Sequence, residues 1–281
     1  MEFCPPESPA VGPADFQVDP SSNPALERFK VAGNAIVAGG GGDLGSTSSR
    51  ALLQHGLGKL AIFDLDSVEG AKRVDKLKAE FPSALIIFKT VDITEADHVD
   101  HAVNEVATEF GSINILLNFA GTVCCMPSLD VSPVEWRRVL DVNTTGSFII
   151  AHAVARKMIA AKTGGSIMFV ASISGHSVCY PQPQAPYNTA KAAVMMLKSC
   201  LAAEWAVHGI RVNSISPGYM DTILNEGAGL DEAKSVWLSR NPLGRMGHRE
   251  ELSGVVVLLS SRAGSYINGS DIIADGGQTL F

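Results

Sequence analysis

The chain has 281 residues, 46% apolar and 18% charged, which suits one large α/β domain or two small ones, with a full core available. A net charge of −7 argues against general binding to nucleic acid or anionic membranes, so neither is expected as a partner. No apolar run approaches the roughly 18 residues of a membrane-spanning helix, and the five scattered cysteines show no C-x-x-C or Cys/His ligand spacing. Free thiols, no metal site and a cytosolic location are the expectations.

Residues 1 to about 30 are rich in Pro, Ser and acidic groups and read as a flexible arm preceding a single domain over 31–281. Asn34–Ala38 (NAIVA) is a short apolar run that fits a buried strand. It enters Gly39-Gly40-Gly41-Gly42-Asp43-Leu44-Gly45, and a helical pattern follows over Ser46–Gln54. Strand, glycine loop and helix in that order form a place where backbone approaches a pyrophosphate, whose charge the helix N-terminus meets. A second strand, Leu60–Phe63, ends at Asp64, about 19 residues beyond Gly45, where a carboxylate reaches the adenosine ribose hydroxyls of NAD. Asp64 and Asp66 would repel a 2′-phosphate, which favours NAD over NADP.

The alternation continues. Ser67–Phe81 reads as an amphipathic helix. Leu85–Val91 reads as a strand ending at Asp92 and Ile93, with Asp92 placed to meet the adenine edge and Thr94 placed to cap the next helix, to about Phe110. Ile113–Leu117 is a strand leading to Asn118-Phe119-Ala120-Gly121. Pro133–Lys157 reads as one long helix carrying Asn143. Ser166–Val170 is a strand delivering Ser172, Arg211–Ile215 a strand ending in Ser216-Pro217-Gly218, Glu250–Ser260 a helix and Ile272–Ala274 a final strand. This pattern predicts a single Rossmann-type, doubly wound parallel sheet with helices on both faces.

The stretch Ser172–Lys191 carries the candidate chemistry. Tyr187 and Lys191 are spaced i, i+4, one helical turn apart on one face. A cation there favours the phenolate and is expected to lower the phenol's pKa toward the working pH, as proton exchange with an alcohol or ketone requires. Ser172 is placed to bond the same substrate oxygen. Pro181, Pro183 and Pro186 keep the connection non-helical. A Tyr/Lys pair at this spacing is common by chance; its weight comes from the motifs around it.

Together these residues resemble the short-chain dehydrogenase/reductase family from about residue 30 to 277. The family's T-G-x-x-x-G-x-G stands as Ala38 to Gly45, with Ala38 for Thr and Asp43 for the middle glycine. Its N-N-A-G stands as Asn118-Phe119-Ala120-Gly121, its asparagine as Asn143, its serine as Ser172, its Y-x-x-x-K as Tyr187 and Lys191, and its P-G-x-x-x-T as Pro217, Gly218 and Thr222. The resemblance implies that Asn143, Ser172, Tyr187 and Lys191 are catalytic. Tyr187 would exchange the proton, Lys191 would also bond the nicotinamide ribose, and Asn143 would hold a water in a relay through Lys191. It implies a cofactor site of Gly39, Gly41, Gly42, Asp43, Leu44, Gly45, Asp64, Leu65, Asp92, Ile93, Asn118, Ala120, Gly121, Tyr187, Lys191, Pro217, Gly218 and Thr222. It also implies a homotetramer or dimer.

SISGH, PQPQ, YNTAK and NSISPGY look like the family's fungal and microbial polyol dehydrogenases and ketose reductases. That makes a secondary alcohol and ketone, of polyol and ketose type, the first expectation for substrate. The expected substrate walls include Cys124, Tyr180, Tyr219, Leu224 and Asn225, beside Ser172 and Tyr187. Their apolar, sulfur-rich character also fits a bulkier terpenoid or polyketide alcohol. A third reading is an NAD-binding sensor or scaffold without turnover, supported by Ala38 and Asp43 alone.

Overall fold

Seven parallel strands in the order β3-β2-β1-β4-β5-β6-β9 form the centre of a computed structural model that describes residues 23–223 and 229–281. The strands are β1 (Asn34–Ala38), β2 (Lys59–Asp64), β3 (Leu85–Thr90), β4 (Ile115–Asn118), β5 (Gly165–Val170), β6 (Ile210–Pro217) and β9 (Asp271–Ala274). A separate two-stranded ribbon pairs β7 (Met220–Asp221) with β8 (Gly247–His248). The expected doubly wound architecture is the one observed. The helices are α1 (Pro24–Arg28), α2 (Asp43–Gln54), α3 (Ser67–Glu80), α4 (Ala96–Phe110), α5 (Pro133–Leu140), α6 (Gly146–Ala161), α7 (Ala185–Trp205), α8 (Asp231–Ser239) and α9 (Ser253–Ser260). Among the described residues, no helix is long and apolar enough to cross a membrane.

The two sheet faces follow from the two-residue period of a strand. Ala35 and Val37 of β1 pack with α2, α3 and α9, while Ile36 and Ala38 pack with α4, α6 and α7. Both faces are covered, so the central strands read as continuous apolar runs. The order reverses between β1 and β4, and this is the point where an open α/β sheet forms a crevice at the carboxyl ends of its strands. Gly39, Asp64, Asn118, Ser172 and Pro217 all stand at or just beyond those ends.

Several local expectations change. The single helix over 133–157 is instead α5 and α6, joined through a π-helical turn at Asp141–Thr145. A π-turn inserts one extra residue into the helical ladder, and such turns often lie at functional sites. Thr94 does not cap α4; Glu95 holds that position, and Thr94 instead bonds Asp92 through its N–H at 2.9 Å and its hydroxyl at 2.7 Å. Pro186 lies in the first turn of α7, where a missing N–H costs nothing, so only Pro181 and Pro183 belong to the loop. The 250–260 segment begins as a 3₁₀ turn over Arg249–Leu252 before α9. Helices α1 and α8 were not expected; α1 lies within the expected arm, whose residues 1–22 lie outside the described residues, as do Leu224 and Asn225.

Phe169 sits fully buried near the carboxyl end of β5, between the strands that carry Asn118 and Pro217. Phe169→Ala is expected to lower unfolding free energy by about 3–5 kcal/mol, as for other buried aromatic truncations. Urea denaturation followed by circular dichroism measures this, and a loss under about 1 kcal/mol would contradict the packing described.

Candidate active site

The crevice above the strand ends is a cleft of about 1420 Å³. Gly39, Gly41, Gly42, Asp43, Leu44 and Gly45 form its floor beside the start of α2, and Asp64, Leu65, Asp92 and Ile93 line one end. Ala120, Gly121, Asn143, Tyr187 and Lys191 line the other, and Thr222 stands over it. Asn118, Pro217 and Gly218 do not line the cleft. Asn118 is buried, donates to the Ser147 hydroxyl at 2.8 Å and accepts from the Ala120 N–H at 3.2 Å, so it shapes the loop beneath the cleft. Gly218 lies against Asp275, where an added Cβ would come within 2.8 Å of the Asp275 Cα.

Gly39, Gly41 and Gly45 of the floor have no room for a side chain. Gly39 has φ +70°, and a Cβ there would lie 2.5 Å from the Ala120 backbone nitrogen. Gly41 donates its N–H to the Asp64 carboxylate at 2.9 Å, and a Cβ on Gly41 would lie 2.8 Å from the same Asp64 oxygen. The second Asp64 oxygen accepts from the Asp66 N–H at 3.1 Å. A bare backbone loop at a helix N-terminus, with an acceptor-only carboxylate at the adjacent strand end, fits the pyrophosphate and ribose of a nicotinamide dinucleotide.

The chemistry-bearing groups meet at the opposite end. Lys191 is 5% exposed, donates to the Val170 carbonyl at 2.7 Å, and places its ammonium 5.5 Å from the Tyr187 ring centroid. No acid faces it among the described ion pairs, and burial lowers its pKa to about 8. Burial pushes the Tyr187 phenol up to about 12, against the pull of a hydrogen bond with the Ser172 hydroxyl. The expected lowering of the phenol by Lys191 is therefore reversed in this state. The i, i+4 spacing brings the pair together, but the loss of water around the phenol outweighs the pull of the Ser172 hydroxyl.

Asn143 sits inside the π-turn. Its amide donates to the Thr122 carbonyl at 2.7 Å and the Val139 carbonyl at 2.9 Å, and its side-chain oxygen accepts from the Thr122 N–H at 3.4 Å. It thus clamps the loop after β4 to the α5–α6 junction. A Cβ on Gly121 would lie 2.8 Å from the Asn143 oxygen and 3.6 Å from the Lys191 ammonium.

Of the expected substrate walls, Cys124, Tyr180 and Tyr219 do not line the dinucleotide cleft. Cys124 is buried with Val139 and Ala190, Tyr187 packs against that cluster, and burial raises the Cys124 thiol. Tyr219 stacks on Trp237 with centroids 4.0 Å apart and donates to Gln182 at 3.1 Å. Tyr180 is exposed, with the Arg240 guanidinium 5.8 Å from its ring centroid. The Met126 N–H donates to the Pro183 carbonyl at 2.7 Å, tying the two loops that carry Cys124 and Tyr180. His176, to which sequence gave no role, bonds Asp271 at 2.9 Å and Ser216 at 3.1 Å, fixing the loop after Ser172 to β6 and β9.

A family model described as enoyl-(acyl carrier protein) reductase matches residues 43–279. The chain is 37% identical to an NADP-dependent mannitol dehydrogenase of Hypocrea jecorina, over 92% of this chain and 97% of that relative. The chain belongs to the short-chain dehydrogenase/reductase family. It is also 35% identical to a ribulose-forming D-arabinitol 2-dehydrogenase of Scheffersomyces stipitis, over 90% and 96% of the two chains. A solved short-chain type dehydrogenase/reductase from Mycobacterium marinum superposes with a TM-score of 0.86 at 36% identity, covering 91% of this chain and 99% of that one. As a short-chain oxidoreductase, the chain uses a nicotinamide cofactor.

Sequence reasoning missed Arg73 of α3, which also lines the cleft. Its signal was faint: a cation two turns into the helix that follows Asp64. Gly39→Ala, with a Cβ forced onto the Ala120 backbone at positive φ, is expected to cost about 1–3 kcal/mol of stability. An unfolding curve that superimposes on the wild type would contradict the close approach.

Proposed function

We propose that this chain interconverts a polyol and a ketose, with NAD preferred over NADP. The observation that carries the reading is the pair of Tyr187 and Lys191 lining one end of the cleft, one helical turn apart, with Ser172 buried beside them and its hydroxyl pulling on the Tyr187 phenol. The mannitol and arabinitol activities named for the relatives support the substrate class.

In the oxidising direction, Tyr187 takes the proton of the substrate hydroxyl and the carbinol carbon loses its hydride. A nicotinamide dinucleotide held by the Gly39–Gly45 loop and Asp64 would supply the hydride acceptor. Ser172 holds the reacting oxygen on the phenol and so limits its orientation. Lys191 keeps a positive charge one turn from the phenol, which opposes the effect of burial on the phenolate. Asn143 holds Gly121 and Thr122 in place at the edge of the site. In the reducing direction Tyr187 returns the proton.

Asp64 supports the preference for NAD. Its carboxylate is already fixed by two backbone N–H groups, so it stands rigidly where a 2′-phosphate would have to come. The relative from Hypocrea jecorina carries the opposite dependence in its name, which makes this a point of difference to test. The stacked Tyr219 and Trp237 favour a second reading, a bulkier and less polar secondary alcohol served by the same proton chemistry. Exposed Phe148 of α6 and Met196 of α7 support association into a dimer or tetramer.

Purified protein is expected to form NADH with C5 and C6 polyols, and Tyr187→Phe to lower that turnover at least about a hundredfold while NADH binding stays near normal. A variant retaining half the activity would sink the Tyr187 assignment. Asp64→Ala is expected to narrow the NAD-over-NADP ratio of kcat/KM by about tenfold or more, the size of one lost charge-specific contact. An unchanged ratio would remove Asp64 as the selector.

A further inference from the structure

The family motif has a glycine where this chain has Asp43, the first residue of α2. A carboxylate at that point faces the place where a pyrophosphate is to bind, and unpaired it would repel one. It is not unpaired. Its side chain is only 5% exposed, with one oxygen 2.8 Å from the Arg73 guanidinium and 3.6 Å from that of Arg249. The other oxygen accepts the backbone N–H of Ile223 at 3.0 Å.

These partners come from three separate places. Arg73 lies on α3, Arg249 opens the 3₁₀ turn before α9, and Ile223 follows β7. Thr222 and Ile223 line the same cleft as Asp43 and Arg73. Two guanidinium groups against one carboxylate leave the cluster cationic, which suits a neighbouring anion. The Asp43–Ile223 bond holds the segment after β7 against the glycine loop across the mouth of the cleft.

We propose that Asp43 is a positioning residue for the cofactor: it clasps the Thr222–Ile223 segment onto the glycine loop and keeps the cleft in its binding-competent form. The clasp touches no reacting atom. It acts through Ile223, by raising the fraction of molecules whose cleft is already shaped for the dinucleotide. Apparent affinity scales with that fraction. The replacement of a motif glycine is thus answered within this chain by two arginines and a backbone donor.

The proposal rests on the cleft being the dinucleotide site, and the test separates the two. NADH binding is measured by its fluorescence on wild type, Asp43→Ala and Asp43→Asn, with no alcohol substrate present. Wild type is expected to bind NADH. Asp43→Ala is expected to raise the dissociation constant roughly tenfold, the effect of losing one hydrogen bond to a charged group. Asp43→Asn keeps an acceptor for the Ile223 N–H and is expected to stay within about threefold of wild type. In turnover, the alanine loss should appear in the KM for NAD, with kcat at saturating NAD falling by less than about twofold.

Wild-type NADH binding with an unchanged dissociation constant in Asp43→Ala would overturn the clasp and leave the proposed function standing. Failure of wild type to bind NADH or NADPH would overturn both. If the alanine variant does not fold, Asp43→Asn still decides: a tenfold loss there shows that the Ile223 bond is not what matters and overturns the proposal.

Discussion

A lysine ammonium buried one turn from a tyrosine phenol is the constraint on which this site depends. Lysine is rarely buried without an acid partner, because taking its charge out of water is costly. Here Lys191 donates to the Val170 carbonyl, at the end of β5, so one strand end fixes the height of the ammonium over the sheet. The first turn of α7 then sets Tyr187 above it, and the loop after β5 brings the Ser172 hydroxyl to the phenol. The two groups are displaced in opposite directions by the same burial, the phenol up and the ammonium down. A positive charge brought beside the phenol would favour its phenolate and disfavour the Lys191 ammonium, which gives cofactor binding an electrostatic consequence for the proton step.

The scaffold around the pair is built to hold strand ends. Parallel strands covered on both faces leave their carboxyl ends as the place where loops meet, and the reversal between β1 and β4 opens the crevice there. Those loops are then fixed from the side. The Asn143 amide pins Thr122, Asn118 pins Ala120, and His176 ties the loop after Ser172 to Asp271. Each bond is made by a side chain that reaches no open cleft or stands at its edge, so polar residues around the site serve mainly to shape backbone.

Much of this was legible because it is written in local pattern. Apolar runs such as NAIVA and LAIF, each closed by Gly or Asp, mark strands of a buried parallel sheet, and the helices between them fix its winding. The glycine loop and the Tyr187–Lys191 spacing are likewise local. What escaped is what neighbours in space decide. The turn at Asp141–Thr145 interrupts a segment whose helical pattern continues through it, so nothing in composition marks the extra residue. Thr94 looks like a cap, but Asp92 offers its oxygen first. Spacing alone brings Lys191 to Tyr187 but says nothing of how much water remains around the phenol. Asp43 read as a flaw in a phosphate loop because its partners Arg73, Arg249 and Ile223 come from distant parts of the chain.

The substrate class is read out by giving purified protein and NAD two panels of alcohols side by side. One holds C5 and C6 polyols, and the other hydrophobic cyclic secondary alcohols. NADH is expected to form with the polyols and little with the cyclic alcohols. Turnover confined to the hydrophobic panel would contradict that expectation and point to a bulkier, less polar alcohol.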